Sequence, residues 1–226
     1  IKKQVTPMIQ RILPFFYLFT IQLACYAQDQ DPKAKLILDE LSKKTKAYTT
    51  MQASVKFQII GKDKKPIEKP QNWTIQLKSK KFKVLIPGTT IVCDGSTLWN
   101  FNQDAQELTI KTYQENNEEQ NPAKMFTMYE TGYKYKYSGT QMLGGVVCDL
   151  IDLYPTIKPE RKKFHTVKMW VNSKKKQIKQ LKLIMKDGSI QVFEMQKLES
   201  DLNLADAVFT YDTKGLKPDQ INDERD

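Results

Sequence analysis

The chain has 226 residues, 27% of them charged and 40% hydrophobic, with 36 Lys and Arg against 26 Asp and Glu and a formal net charge of +10. That surplus does not point to nucleic acid, because lysines alternate with apolar residues, as in Tyr133-Lys134-Tyr135-Lys136-Tyr137, the pattern of a solvated strand face. The single histidine, and the lack of any Gly-x-Ser-x-Gly elbow, His-x-x-x-His pair or Cys-x-x-Cys, argue against catalysis.

Residues 1–27 read as a secretory signal. Lys2, Lys3 and Arg11 precede an uncharged run over 12–24 that is too short to span a bilayer, and the first acidic residue is Asp29. Cys25-Tyr26-Ala27 suits a signal peptidase, so cleavage is expected after Ala27, leaving residues 28–226 as one domain. The competing reading is a lipoprotein signal cut before Cys25; Ala24 suits it, whereas Gln22 stands where such signals carry an aliphatic residue. Cys93 and Cys148 then remain, as a disulfide or as two buried thiols on strands.

Asp31-Pro32 offers a cap acceptor followed by proline at the first helical position. Ala34, Ile37, Leu38, Leu41 and Tyr48 mark one face at helical spacing, and Lys43, Lys44 and Lys46 suit the C-terminal end, so an amphipathic helix of about four turns is predicted. From Met51 the period falls to two: Ala53, Val55, Phe57 and Ile59 alternate with polar residues up to the turn at 61–66. Further strands are predicted over 72–78, 82–87, 90–93, 97–101 and 107–113, with Asp94-Gly95 as a tight turn.

A polar stretch over 114–120 interrupts the series. Asn121-Pro122 should then open a second, short helix over 123–131 containing Met125, Phe126, Met128 and Tyr129. Strands resume over 133–138, 146–154, 164–171, 178–185 and 190–197, with Asp187-Gly188 joining the last two, and Phe209 and Tyr211 mark a final short strand. The sole histidine, His165, falls on a strand, and Asp149 and Asp152 fall on opposite faces of another, which suits neither a catalytic base nor a carboxylate pair.

About eleven consecutive antiparallel strands must curl to hide their apolar face. The expectation is therefore a mainly β protein with helices: an open, incomplete antiparallel β-barrel whose apolar concave face is covered by helices as a lid.

Four segments in register resemble the periplasmic outer-membrane lipoprotein carriers of the LolA family. They are ILDELSKKTKAYTTMQASVKF (37–57), SKKFKVLIPG (79–88), CDGSTLWNFN (93–102) and VFTYDTKGLKPDQINDERD (208–226). The resemblance implies a monomeric carrier in the periplasm of a Gram-negative bacterium that shields the acyl chains of lipoproteins. Its implied partners are acylated lipoproteins, an inner-membrane releasing transporter and an outer-membrane acceptor or membrane; no cofactor or metal is implied. Typical members carry an arginine, followed by proline, that pins the lid. Here Lys78-Ser79-Lys80-Lys81-Phe82 occupies that place, so Lys78 is the latch candidate, with a point charge in place of a planar fork.

Soft and aromatic side chains suit a cavity for acyl chains, since methionine adapts to irregular shapes and rings offer large rigid faces. The lining candidates are Phe57, Trp73, Phe82, Trp99 and Phe101 on strands, and Met125, Phe126, Met128 and Tyr129 in the second helix. Two alternatives share the fold: an envelope regulator that senses lipid or protein, and the lipid-anchored acceptor at the outer membrane.

Overall fold

A computed structural model describes residues 30–114 and 124–225. The signal region, residues 115–120 of the polar stretch and the predicted helix start at 121–123 lie outside the described residues.

Helix α1 (Pro32–Lys46) begins where its cap chemistry predicts. One carboxylate oxygen of Asp31 accepts from the backbone N–H groups of Lys33 and Ala34 at 2.9 and 3.1 Å. The other accepts from the N–H of Tyr137 at 3.0 Å, tying the helix start to a strand. These bonds, that of Tyr137 foremost, hold the Asp31 carboxyl below its ordinary range. Ala34, Ile37, Leu38 and Leu41 form the buried stripe.

Two antiparallel series follow. The first is β1 (Thr50–Ile60), β2 (Gln71–Lys78), β3 (Lys81–Ile86), β4 (Thr89–Cys93), β5 (Thr97–Asn102) and β6 (Glu107–Thr112). The second is β7 (Tyr133–Leu143), β8 (Val146–Pro155), β9 (Phe164–Asn172), β10 (Ile178–Met185) and β11 (Ile190–Ser200). Pairing of β1 with β11 fuses them into one sheet of twelve strands, the twelfth being β12 (Ile221–Asp223), in the order β12-β6-β5-β4-β3-β2-β1-β11-β10-β9-β8-β7. The sheet is open, with β7 and β12 at its ends. Along the edge strand β7, Lys134 and Lys136 are exposed between half-buried tyrosines, a charged margin that discourages a further strand.

The Asp-Gly turns form as predicted. Gly95 and Gly188 take positive φ, of 100° and 87°, and the preceding aspartates accept from the N–H groups that follow. One face of the sheet meets α1 in a continuous core that includes Val55, Ile75, Phe82, Ile151, Val167 and Leu181. This is the concave face.

Two predicted elements differ. Among the described residues the second helix is one turn, α2 (Lys124–Thr127), followed by a 3-10 turn over Met128–Glu130, because Thr131 is already extended and Gly132, at φ 78°, swings the chain into β7. No strand forms at Phe209 and Tyr211. Asp206–Phe209 is a 3-10 turn whose Phe209 is fully buried, and the last strand comes later, as β12, parallel to β6.

The segment between β11 and β12 crosses the convex face. Thr50 Oγ1 donates to the carbonyl of Leu202 at 2.8 Å, and the Asp206 turn packs beside β3. Tyr211 lies against Phe101 with ring centroids 5.6 Å apart. The N–H of Glu224 donates to the carbonyl of Ile110 just past the last strand.

Candidate functional site

The concave face holds a cavity of about 740 Å3. Its floor is sheet: Trp73 and Ile75 of β2, Val84 of β3, and Leu181, Leu183 and Met185 of β10, with Phe193 of β11. Met125 and Met128 overhang it from α2 and the adjoining turn, while Tyr133 and Phe164 close one side. Phe57 stands behind this lining; its ring is 4.4 Å from Trp73 and 4.9 Å from Phe193, and Trp73 meets Phe193 edge-on at 5.7 Å. These three rings make a rigid aromatic wall.

Of the nine predicted lining residues, Trp73, Met125 and Met128 face the cavity and Phe57 supports it. Phe82, Phe126 and Tyr129 are core, each no more than 3% exposed. Phe82 packs edge-on against Tyr113 at 5.6 Å. Burial, ahead of the nearby Glu130 charge, pushes the Tyr129 phenol well above its ordinary value.

Trp99 and Phe101 lie elsewhere. Leu98 is opposite Cys93 on the concave side, so Trp99, opposite Val92 and Ile110, and Phe101, opposite Leu108, point to the convex side. There Tyr211 of the C-terminal segment packs against Phe101, and Trp99 is half-buried on the same face. The two aromatics do share a face, as their spacing requires, but it is the face away from the cavity.

Lys78 is a latch for a different part. Its ammonium donates to the carbonyl of Leu204 at 2.8 Å and pairs with Asp206 Oδ1 at 2.9 Å, while Lys81 pairs with Oδ2 at 2.9 Å. It therefore fastens the C-terminal segment on the convex face and does not reach α1 or α2. Hydrogen bonds from Lys78 and Lys81 lower the Asp206 carboxyl to about 2.

The cysteines are free and buried on opposite faces: Cys93 in the main core, Cys148 beside Leu150 and Trp170 on the other side. Burial pushes the Cys93 thiol to about 11. His165 is exposed and shares a hydrogen bond with Thr166 Oγ1 at 2.8 Å. Among the described residues no group of three or more His, Cys, Asp or Glu is placed to hold a metal.

The stretch of chain that builds most of this sheet and its apolar cavity matches a known family. The model of the outer membrane lipoprotein carrier protein LolA matches residues 67–212. The chain belongs to the LolA family. A search of curated proteins finds no match. Among solved structures, this LolA-family chain resembles an uncharacterized conserved protein from Thermus thermophilus at 14% identity, covering 86% of this chain and 99% of that one with a TM-score of 0.58. It also resembles the lipoprotein LppX of Mycobacterium tuberculosis at 14% identity, covering 78% of this chain and 100% of that one with a TM-score of 0.51. At such identities the likeness lies in the fold, which in this LolA-family chain is an open barrel around the cavity described above.

Sequence reasoning missed cavity residues in both strand series, Ile75 and Val84 in the first and Leu181, Leu183, Met185 and Phe193 in the second. Leu181, Leu183 and Met185 alternate at period two in IKQLKLIM, which marks them as sharing a face but not as facing the cavity. Residues Arg161, Lys162 and Lys163 at the mouth read in the sequence only as one more basic stretch.

Proposed function

We propose that this protein carries lipoproteins through the bacterial periplasm, from the inner membrane to the outer, holding their acyl chains in the concave cavity without covalent chemistry. The observation that carries the reading is the cavity itself, a largely apolar hollow kept open to solvent on one side by a sheet that does not close. Each methylene removed from water contributes roughly 0.8 kcal/mol, so a long acyl chain buried completely would gain roughly 10 kcal/mol. An open mouth buries chains in part, which allows release. The flexible side chains of Met125 and Met128 can repack around chains of different length.

Among the described residues no helix is long and apolar enough to cross a membrane. Recognition by acyl chain, with the polypeptide left outside, allows one carrier to take many cargoes. The test is native mass spectrometry after incubation with a synthetic diacylated lipopeptide and with its unacylated twin. One bound lipopeptide and no bound twin is expected; equal retention of both, or of neither, would overturn the reading.

A further inference from the structure

The mouth of the cavity is cationic in a specific way. Lys124, Arg161, Lys162 and Lys163 contribute to its lining, and Glu130 is the one carboxylate there among the described residues. That carboxylate is already engaged: Glu130 Oε2 pairs with Lys46 at 2.8 Å and Oε1 accepts from Ser42 at 2.5 Å. Among the described residues, Lys124, Arg161 and Lys163 have no carboxylate within ion-pair distance.

Basic composition alone does not account for this. A smaller depression of about 400 Å3 beside β10 and β11 is also lined by lysines, and there two of the three are paired, Lys179 with Glu194 at 3.3 Å and Lys197 with Glu199 at 2.9 Å. The backbone that carries Arg161 and Lys163 is also held in place. Lys186 donates to the carbonyls of Pro159 and Glu160 at 2.7 and 3.1 Å, and its own N–H donates to the carbonyl of Lys163 at 2.9 Å. This fixes the turn over Pro159–Arg161 against the end of β10, so that the basic run is presented to the mouth.

Resting on the carrier reading above, we propose that the cavity selects anionic amphiphiles, holding a carboxylate or phosphate headgroup on Lys124, Arg161 and Lys163 while the chain lies along Met128 and Leu183 toward Trp73. The match is one of chemistry: unpaired cations at the rim of an apolar hollow stabilise a ligand whose charge and chain are adjacent. Arg161 can grip either headgroup with two parallel hydrogen bonds.

The test uses four ligands with one chain, below their micelle concentrations: dodecanoate, dodecyl phosphate, dodecanol and dodecyltrimethylammonium. Each competes for the protein against a fluorescent acyl probe. The anionic ligands should bind on the order of tenfold more tightly than dodecanol, the scale of one charge-assisted contact, and dodecyltrimethylammonium more weakly than dodecanol. Arg161→Glu with Lys163→Glu should abolish that ranking, as should raising the salt concentration for the parent protein. The ratio of phosphate to carboxylate binding separates a phospholipid headgroup from a fatty acid, and either preference supports the proposal. Equal binding of all four ligands would overturn it and leave the carrier reading standing, whereas no binding of any would sink both. Recruitment to anionic vesicles without uptake of any ligand would assign the cations to membrane docking and likewise overturn it.

Discussion

Trp73 on β2 and Trp99 on β5 are both half-buried strand tryptophans, and the structure gives them opposite roles. Trp73 joins the aromatic wall of the cavity, so truncating it removes surface that a bound chain would touch. Trp73→Ala should weaken binding of a diacylated lipopeptide by about 1–3 kcal/mol in a calorimetric titration, the scale for losing part of an apolar contact. Trp99→Ala should leave that affinity unchanged, and Phe101→Ala, which loses the contact with Tyr211, should make the C-terminal segment easier to cleave by protease. An equal loss of affinity in the two tryptophan variants would contradict the assignment of faces. The period-two alternation in TLWNFN shows that Trp99 and Phe101 share a face, but parity cannot name it. The register does, through Leu98 opposite Cys93. The neighbouring TTIVC was the available signal: a continuous apolar Ile91-Val92-Cys93 run means both faces of β4 are covered, so aromatics beside it have two places to go.

At the scale of elements, the C-terminal segment behaves as a strap fastened by Asp206. The carboxylate between Lys78 and Lys81 has its pKa lowered, so the contribution of this contact is fully present above the ordinary aspartate value near 3.8 and is lost as pH falls through about 2. Amide exchange over 202–211 should therefore accelerate between those two values, earlier than exchange in β9 and β10. Asp206→Asn should exchange at its fast, acid-like rate across the whole range; a strap equally protected in that variant would show that Phe209 burial alone holds it. This strap was not legible in the sequence. Phe209 and Tyr211 two residues apart resemble a strand, and only the burial of Phe209 and the anchoring of Asp206 exclude one. Strands with a hydrophobic alternation and a turn at each end were legible, and so was α1, because Asp31, Pro32 and the 34/37/38/41 stripe agree with one another. The second helix was harder, since its four described residues supply too little periodicity to distinguish a helix from a turn.

For the molecule as a whole, the alternation of two antiparallel series and the presence of covering helices carried the open barrel, while the fusion of the series through β1 and β11 depends on contacts far apart in sequence that no local pattern encodes. The division of the sheet into two covered faces follows from that fusion. The concave face takes α1, α2 and the cavity; the convex face of β3–β6 takes the C-terminal strap. A carrier built this way places its fixed packing on one side and its replaceable packing on the other. The central claim is that acyl chains occupy the concave side, and a lipopeptide bearing a photoreactive diazirine in its acyl chain tests it most directly. After irradiation and peptide mapping, labels are expected at Met125, Met128, Phe164 and the strand stretch from Leu181 to Met185. Labels confined to Trp99, Phe101 and Tyr211, or no labelling above that of an unacylated control, would contradict it.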